Sequence, residues 1–279
     1  GMGDLVCYEI DKYKKKWQKN MISDFGGRNI KWGFTETVLV DENKLFVAIG
    51  GEENAVIALD KKTGNLLWSC KGKGDKSAYC TPQIIDFGSY KLLVHQMEDH
   101  ILGIDASNGD LLWSYDWTNK WKVHANTPIF QDGHLYVFSG YGKGGIKLKL
   151  TNNGKSVEKV WENETMDSKM GGAVIIDGYI YGSGDYNRTF QCINWETGEQ
   201  VYESKEISKG VTIAADGKLY TYGERGDLAL INPTHEKFDL ISKTKVTHGS
   251  EQHWAHPVIH KGKLYVRHGE ALVVYSISK

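Results

Sequence analysis

The run Ala58-Leu59-Asp60-Lys61-Lys62-Thr63-Gly64-Asn65-Leu66-Leu67-Trp68 returns in related form as Gly103-Ile104-Asp105-Ala106-Ser107-Asn108-Gly109-Asp110-Leu111-Leu112-Trp113. The two tryptophans are 45 residues apart, and so are the two glycines. A fixed period of this size is typical of an array of equivalent sheet units. The repeat therefore indicates the architecture before any other feature of the chain is considered.

Tight turns between apolar runs support this interpretation. Asp-Gly pairs stand between β-type segments at Asp132-Gly133, Asp177-Gly178 and Asp216-Gly217. A two-residue hairpin turn requires positive φ, which Asp-Gly adopts readily, so each pair predicts a hairpin. Related stretches give six such hairpins and seven copies of the strand that follows them, the seventh being Asp4–Glu9. Because no long segment has helical periodicity, the prediction is an all-β chain.

One large aromatic residue occupies the same place in successive units: Trp17, Trp68, Trp113, Trp161 and Tyr202. We expect these rings to dock neighbouring sheets against each other, each burying about 150–250 Å². The predicted fold is a β-propeller of four-stranded blades, with seven blades expected and six or eight as alternatives. A single domain over residues 1–279 is predicted, with residues 3–20 closing the ring with residues 256–277.

The pattern Ala-x-Asp-x-x-Thr-Gly-x-x-x-Trp resembles the repeat of the pyrroloquinoline-quinone-type (PQQ-like) β-propellers, where it is called the tryptophan-docking motif. The match is close at residues 58–68 and 103–113 and partial at 7–17 and 192–202. The resemblance implies that quinone dehydrogenases of this kind stack adjacent cysteines over PQQ and hold calcium with a Glu/Asn/Asp set, and this chain has no Cys-Cys pair. The chain resembles more the non-catalytic propeller lipoprotein of outer-membrane protein assembly.

This resemblance implies a binding or scaffolding propeller without a cofactor, placed outside the cytoplasm in the periplasm or on a surface anchor. A PQQ-dependent oxidoreductase is the alternative. Its calcium ligands cannot be assigned here, and Asp99, Asp185 and Glu224 are loop carboxylates with no distinguishing neighbour in the sequence. No catalytic residue is therefore predicted.

Composition excludes several partners. The formal net charge is −1, which gives no electrostatic reason to bind nucleic acid. No run approaches the roughly 18 apolar residues of a membrane helix. We expect a monomer and a protein, peptide or carbohydrate partner.

No metal site is predicted either. The four cysteines show no zinc spacing. Cys7 and Cys192 take the small core position of the repeat that is Ala58 in the first copy. Cys70 and Cys80 flank one connection, where a disulfide is the alternative. His253 and His256, if they lie on a strand, point to opposite faces and do not share an ion.

The residues that precede successive hairpins are candidates for a ligand-binding rim. In unit register they are Trp32, Tyr79, His124, Lys169 and His253, joined by nearby Asn126, Tyr141, Met170, Arg225 and Trp254. Propellers commonly bind at one loop-bearing face. We expect these side chains to gather on one rim, with ordinary loop packing as the alternative reading.

Overall fold

The computed structural model describes residues 1–169 and 171–277, and its regular structure is built from strands. Within these residues the one helical element is a single 3-10 turn, Ile10–Lys12. The strands pair antiparallel with their neighbours in sequence. The all-β prediction is confirmed.

The strands form seven successive sheets in the described part of the chain. Five of them have four strands in simple sequence order: β3–β6 (Leu39–Asp41, Lys44–Ala48, Val56–Asp60, Leu66–Cys70), β7–β10 (Gln83–Asp86, Lys91–Gln96, His100–Asp105, Leu111–Asp116), β11–β14 (Ile129–Gln131, His134–Ser139, Gly144–Thr151, Ser156–Asn163), β15–β18 (Val174–Ile176, Tyr179–Ser183, Phe190–Asn194, Gln200–Ser204) and β19–β22 (Gly210–Ala215, Lys218–Gly223, Asp227–Asn232, Asp239–Lys245).

The two remaining sheets stand at the ends of the chain. One has three strands, β23–β25 (Val258–His260, Lys263–His268, Ala271–Ser276), and one has two, β1–β2 (Asp4–Glu9, Lys14–Asn20). Seven sheets of this pattern confirm the predicted propeller class. Closure of a ring by residues 3–20 and 256–277, within a single domain, stays a prediction.

The chain divides into two compact units. The first unit contains residues 1–137 and 147–160, and the second contains residues 138–146 and those from 161 onward. Sheets β1–β2, β3–β6 and β7–β10 belong to the first unit, and β15–β18, β19–β22 and β23–β25 to the second. The chain segments of β11–β14 are divided between the two.

The predicted hairpin turns are present with the required backbone. Positive φ occurs at both central residues of three Asp-Gly pairs: Asp132 and Gly133 (48° and 75°), Asp177 and Gly178 (49° and 79°), and Asp216 and Gly217 (49° and 67°). These values match the type I′ geometry that fits the twist of paired strands. The Asp-Gly signals were therefore sufficient to locate these hairpins.

The core lies on the middle strands. Val56, Ile57, Ala58 and Leu59 on β5 are all fully buried, so this strand is covered on both faces. The outer strand β6 is buried only at alternate positions. Trp68 is one of the buried residues on β6, and it packs in a cluster with residues of β4, β8 and β9.

The cysteines serve as small core residues. Cys70, Cys80 and Cys192 are buried, Cys7 is half-buried, and all four are free thiols. The disulfide that the sequence left open between Cys70 and Cys80 is not formed. Burial raises the pKa of the Cys192 thiol to about 12, which keeps it protonated and unreactive at neutral pH.

Each repeat aromatic residue donates a hydrogen bond to a backbone carbonyl near the equivalent turn of the next repeat. The donor–acceptor pairs are Trp17 Nε1 to Lys61 O (3.1 Å), Trp68 Nε1 to Ala106 O (3.2 Å), Trp113 Nε1 to Gly154 O (3.0 Å), Trp161 Nε1 to Trp195 O (3.0 Å) and Tyr202 Oη to Thr234 O (3.0 Å). A buried indole N–H needs such an acceptor. The ring and the next turn thus form one recurring contact.

The glycine of that turn is required for the contact. Gly109 has φ +86°, and a Cβ on it would lie 2.7 Å from the Trp68 ring. Gly64 stands in the same relation to Trp17 at 2.8 Å, and Gly198 to Trp161 at 2.7 Å. Only glycine combines this backbone conformation with the close approach of a ring.

Replacing Trp68 by alanine is expected to lower the free energy of unfolding by about 3–5 kcal/mol, because a buried ring and its hydrogen bond are lost together. Urea unfolding followed by far-UV circular dichroism measures the change. The matched control is Trp121→Ala, since Trp121 is 61% exposed. Equal effects of the two substitutions would show that the contact on the next turn is not a major source of stability.

Candidate functional site

Three of the predicted rim residues meet in the first unit. The ring centroids of Trp32 and Tyr79 lie 5.6 Å apart, with the planes tilted by 50°. Tyr79 and His124 form an isolated parallel bridge, and the His124 N–H donates to the Ala78 carbonyl oxygen at 3.0 Å. Trp32 is 55% exposed, and the Lys31 Nζ lies 5.0 Å from its ring centroid. These loops therefore present the Trp32 indole to solvent, packed against a half-buried Tyr79.

A buried ion pair lies beneath this aromatic pair. The Glu36 carboxylate accepts a hydrogen bond from the Tyr79 N–H at 3.3 Å, and its other oxygen lies 3.7 Å from His95 Nε2. His95 Nδ1 lies 2.9 Å from the Gln96 carbonyl oxygen and 3.9 Å from Cys80 Sγ. Burial alone would lower the pKa of His95, but Cys80 and Glu36 outweigh it and raise the pKa to about 10. Glu36 thus connects a charged core to the backbone of Tyr79.

His124 and Asn126 contribute to the framework of the loops rather than to their surface, since both are almost completely buried. His124 Nε2 lies 3.1 Å from the Glu98 carbonyl oxygen and 3.3 Å from the Thr118 hydroxyl. Burial among these partners leaves no face of the imidazole for a ligand. Of the predicted rim residues in this unit, Trp32 is therefore exposed, whereas His124 and Asn126 are buried.

Trp121 is an exposed aromatic residue that the sequence analysis missed. It stands in a loop between β10 and β11, with the Lys120 Nζ 5.4 Å from its ring centroid. Neighbouring Lys122 forms an ion pair with Asp99 at 2.5 Å. The sequence signal that could have identified Trp121 is a tryptophan flanked by two lysines at a position outside the repeat.

The predicted residues of the second unit form a different kind of group. The Lys169 Nζ lies 5.5 Å from the Tyr141 ring centroid and 3.5 Å from the Asp185 carboxylate. Asp185 also pairs with Lys209, which lies 3.4 Å from Glu224. Asp185 and Lys209 are buried, and buried charges are tolerated when they are paired in this way. The loop carboxylates Asp185 and Glu224 therefore have distinguishing neighbours, which the sequence did not show.

Asp167 fixes the loops that carry this group. Its buried carboxylate accepts hydrogen bonds from the N–H groups of Gly142 at 2.8 Å and Tyr186 at 3.1 Å. Burial raises the pKa of Asp167. The glycine-rich segment at 140–143 is a short connection between β12 and β13. Through Asp167 it is held next to the loop before β17. No clear sequence signal distinguished Asp167 from other loop carboxylates.

His253 lies in the connection before β23, so the strand argument applied to His253 and His256 was wrong in its premise. Its Nδ1 is 2.5 Å from the Tyr222 hydroxyl, and its ring stacks on His268 with centroids 3.6 Å apart. Burial, followed by the neighbouring His268, lowers the pKa of His253. Trp254 beside it is 52% exposed.

The remaining predictions are placed as follows. Arg225 is exposed in the turn between β20 and β21. Met170 lies outside the described residues. Across residues 1–169 and 171–277, no three His, Cys, Asp or Glu side chains are grouped so as to hold a metal ion. That the groups of the two units share one rim stays a prediction.

The comparisons with known proteins identify the family. A family model described as outer membrane protein assembly factor BamB matches residues 1–204. The chain belongs to this family. A search of curated sequences finds no significant match.

Solved structures with a similar fold include a relative named for this family. BamB from Moraxella catarrhalis has a TM-score of 0.74 and 15% identity, covering 98% of this chain and 78% of that chain. Dihydro-heme d1 dehydrogenase NirN in complex with DHE has a TM-score of 0.65 and 12% identity, and the match covers 99% of this chain and 59% of that chain. The quinohemoprotein alcohol dehydrogenase ADHIIG from Pseudomonas putida HK5 has a TM-score of 0.56 and 13% identity, covering 77% and 42%. At these identities the likeness shows the fold alone.

No described helix has the length and apolar character needed to cross a membrane.

Cys80 and Glu36, which together raise the pKa of His95, make the stability depend on pH. Because the pKa of His95 rises from 6.5 to about 10 on folding, its stabilising contribution is present below pH 6.5 and is lost as the pH rises through 10. We expect the free energy of unfolding to fall between pH 7 and 10 more steeply in the wild type than in His95→Gln. Urea titrations at each pH measure this difference.

Glu36→Gln should flatten the same slope, since it removes the partner charge and leaves the imidazole. His260→Gln, at an exposed position, is the control and should keep the wild-type slope. If the free energy of unfolding varies with pH in the same way in the wild type, Glu36→Gln and His260→Gln, then the Glu36–His95 ion pair does not contribute to stability.

Proposed function

We propose that this chain is a non-catalytic propeller that binds a protein partner during the assembly of outer-membrane proteins. Membership of the BamB family supports the assembly role. The observation that carries the binding role is the exposed Trp32 indole, which packs on the half-buried Tyr79 next to the buried Glu36–His95 ion pair. Aromatic side chains that are fixed before binding are frequent anchors of protein interfaces.

The first unit offers two exposed aromatic side chains that suit a protein surface. Trp32 and Trp121 are both more than half exposed, and each has a lysine ammonium near its ring. A flat apolar ring beside a cation matches a partner strand or loop that carries apolar and acidic side chains. A carbohydrate that stacks on the same rings is the alternative partner.

We also propose that the protein functions without bound PQQ. The sequence has no adjacent cysteines, and the described residues bring no metal-binding group of three His, Cys, Asp or Glu side chains together. These residues do not fit the quinone and calcium site expected of a dehydrogenase in this fold. We also propose an extracytoplasmic location, from the family, and a monomeric state.

Loss of the Trp32 indole and the Tyr79 hydroxyl should impair function while leaving the fold intact. In the native host, deletion of the gene should reduce the amount of folded β-barrel protein in the outer membrane, and a plasmid copy should restore it. The double variant Trp32→Ala/Tyr79→Phe tests the exposed indole and the tyrosine hydroxyl, and we expect it to restore less than half of that amount. Semi-native electrophoresis of outer-membrane fractions measures folded barrels.

Arg267→Gln, an exposed change in the second unit, is the control and should restore the full amount. Full restoration by the aromatic variant at equal expression would exclude this surface from the function. Photo-crosslinking gives a second test, with the photoreactive amino acid placed at position 32 or, as a control, at position 237. The proposal requires a protein adduct from position 32 and none from position 237. The same products from both positions would contradict it.

A titration with PQQ and calcium separates the proposed role from the oxidoreductase alternative. We expect no saturable change in the quinone absorbance spectrum and no shift in melting temperature. Saturable binding together with dye reduction in the presence of alcohols would favour a dehydrogenase.

A further inference from the structure

The second unit contains a polar pocket whose lining is unusually rich in hydrogen-bond donors. It has a volume of about 340 Å³ and lies among the β16–β17 loop, the β18–β19 connection and the β20–β21 turn. The lining side chains used in the argument are those of Asn187, Arg188, Lys205, Ser208 and Arg225. The protein-binding surface proposed above does not include this pocket.

Two of the carboxylates in the pocket wall are already neutralised. Glu224 lies 3.4 Å from Lys209, and Asp227 lies 3.7 Å from Lys245. Lys209 is further paired with Asp185, whose carboxylate also lies 3.5 Å from the Lys169 ammonium. The ion-pair network that crosses the pocket floor therefore adds little net charge to the pocket.

Three cations of the wall remain without a counterion. In the described part of the chain, Arg188, Lys205 and Arg225 form no ion pair and donate no side-chain hydrogen bond. Glu206 is the carboxylate of the wall that has no cationic partner there. The unpaired groups thus leave an excess of about two positive charges around one cavity.

Two neutral donors accompany these cations. The Ser208 hydroxyl is inaccessible to solvent and has no hydrogen-bond partner among the described residues. The Asn187 side-chain oxygen accepts from the Thr189 N–H at 3.3 Å, so its NH₂ group is the part that remains for a ligand. A buried hydroxyl without a partner is costly, and such groups call for an unseen partner.

The backbone around the pocket is fixed before any ligand arrives. Arg188 has φ +54°, a conformation that a non-glycine residue adopts only when its surroundings impose it. The loop is closed by the Gly184 N–H donating to the Thr189 carbonyl oxygen at 3.0 Å. At Gly223 a Cβ would lie 2.5 Å from the Ser208 hydroxyl, so a larger residue there would displace the Ser208 side chain.

We propose that this pocket binds a phosphoryl group. Two guanidinium groups and one ammonium, joined by a hydroxyl and an amide, supply more donors than the two oxygens of a carboxylate use. They match the three terminal oxygens and the charge of nearly −2 of a phosphate monoester. Because the cavity exceeds the volume of inorganic phosphate, the group is carried by a larger molecule, either a soluble phosphate ester or a phospholipid headgroup.

Isothermal titration at low ionic strength tests the proposal with inorganic phosphate and glycerol 3-phosphate. We expect saturable binding of glycerol 3-phosphate, weakened at least tenfold in Arg188→Gln/Arg225→Gln and several-fold in Ser208→Ala. Lys237→Gln is the control, since it removes one exposed positive charge elsewhere in the same unit. Circular dichroism melting of every variant verifies that the fold is retained.

Flotation with vesicles separates the two sources of the phosphoryl group. Binding to phosphatidylglycerol vesicles but not to phosphatidylcholine vesicles, lost in the double arginine variant, identifies a lipid headgroup. Binding of the soluble ester alone identifies a soluble ligand. The proposal is overturned if the wild type binds none of these probes, or if Lys237→Gln weakens binding as much as the double variant does.

Discussion

A single contact repeats along this chain and makes neighbouring sheets interdependent: an aromatic side chain on one outer strand donates a hydrogen bond to a backbone carbonyl near the next turn. At Trp17, Trp68 and Trp161 the ring also rests on the glycine of that turn. Trp68 shows the arrangement, with its ring on Gly109 and its indole N–H on the Ala106 carbonyl oxygen. The glycine cannot be replaced without a clash with the ring, and the ring loses a buried partner when the turn is displaced. The strength of the contact comes from the burial of a large ring together with a satisfied N–H group.

The loops depend on a second constraint, which is the burial of charge. The carboxylates of Glu36 and Asp167 each accept hydrogen bonds from backbone N–H groups and so position the loops that carry Tyr79 and Tyr186. Asp185 and Lys209 do the same in the second unit through direct ion pairs. A buried charge that loses its partner is strongly destabilising, so these groups hold the loops in one conformation.

The fold is shared by binding proteins and by enzymes, so the family and the loop side chains carry the argument about function. The chain belongs to the BamB family, while a quinohemoprotein alcohol dehydrogenase and a dihydro-heme d1 dehydrogenase share the fold at 12–13% identity. The same architecture supports both roles because function depends on side chains placed on the loops rather than on the sheets. The loops of this chain carry exposed aromatic rings and unpaired cations, which suit recognition, and this is why the binding role is preferred.

The sequence by itself determined the sheets. The 45-residue period, the Asp-Gly turns and one aromatic residue per unit are local patterns, and each acts through backbone conformation or strand periodicity within a few residues. They predicted the all-β class, the hairpins and the cysteines' place in the core. They also directed attention to the loops that hold Trp32, Tyr79 and Tyr141, because the repeat register fixes where each loop begins.

Only the tertiary structure decided which loop side chains meet. His124 and Asn126 proved buried, Trp121 proved exposed, and Glu36 reached the backbone of Tyr79 across 43 residues of sequence. The pairing of Asp185 with Lys209 and the pocket around Arg188 likewise join loops from different strands. Burial and charge pairing are properties of neighbours in space, and no local pattern records which loops become neighbours once the sheets have packed.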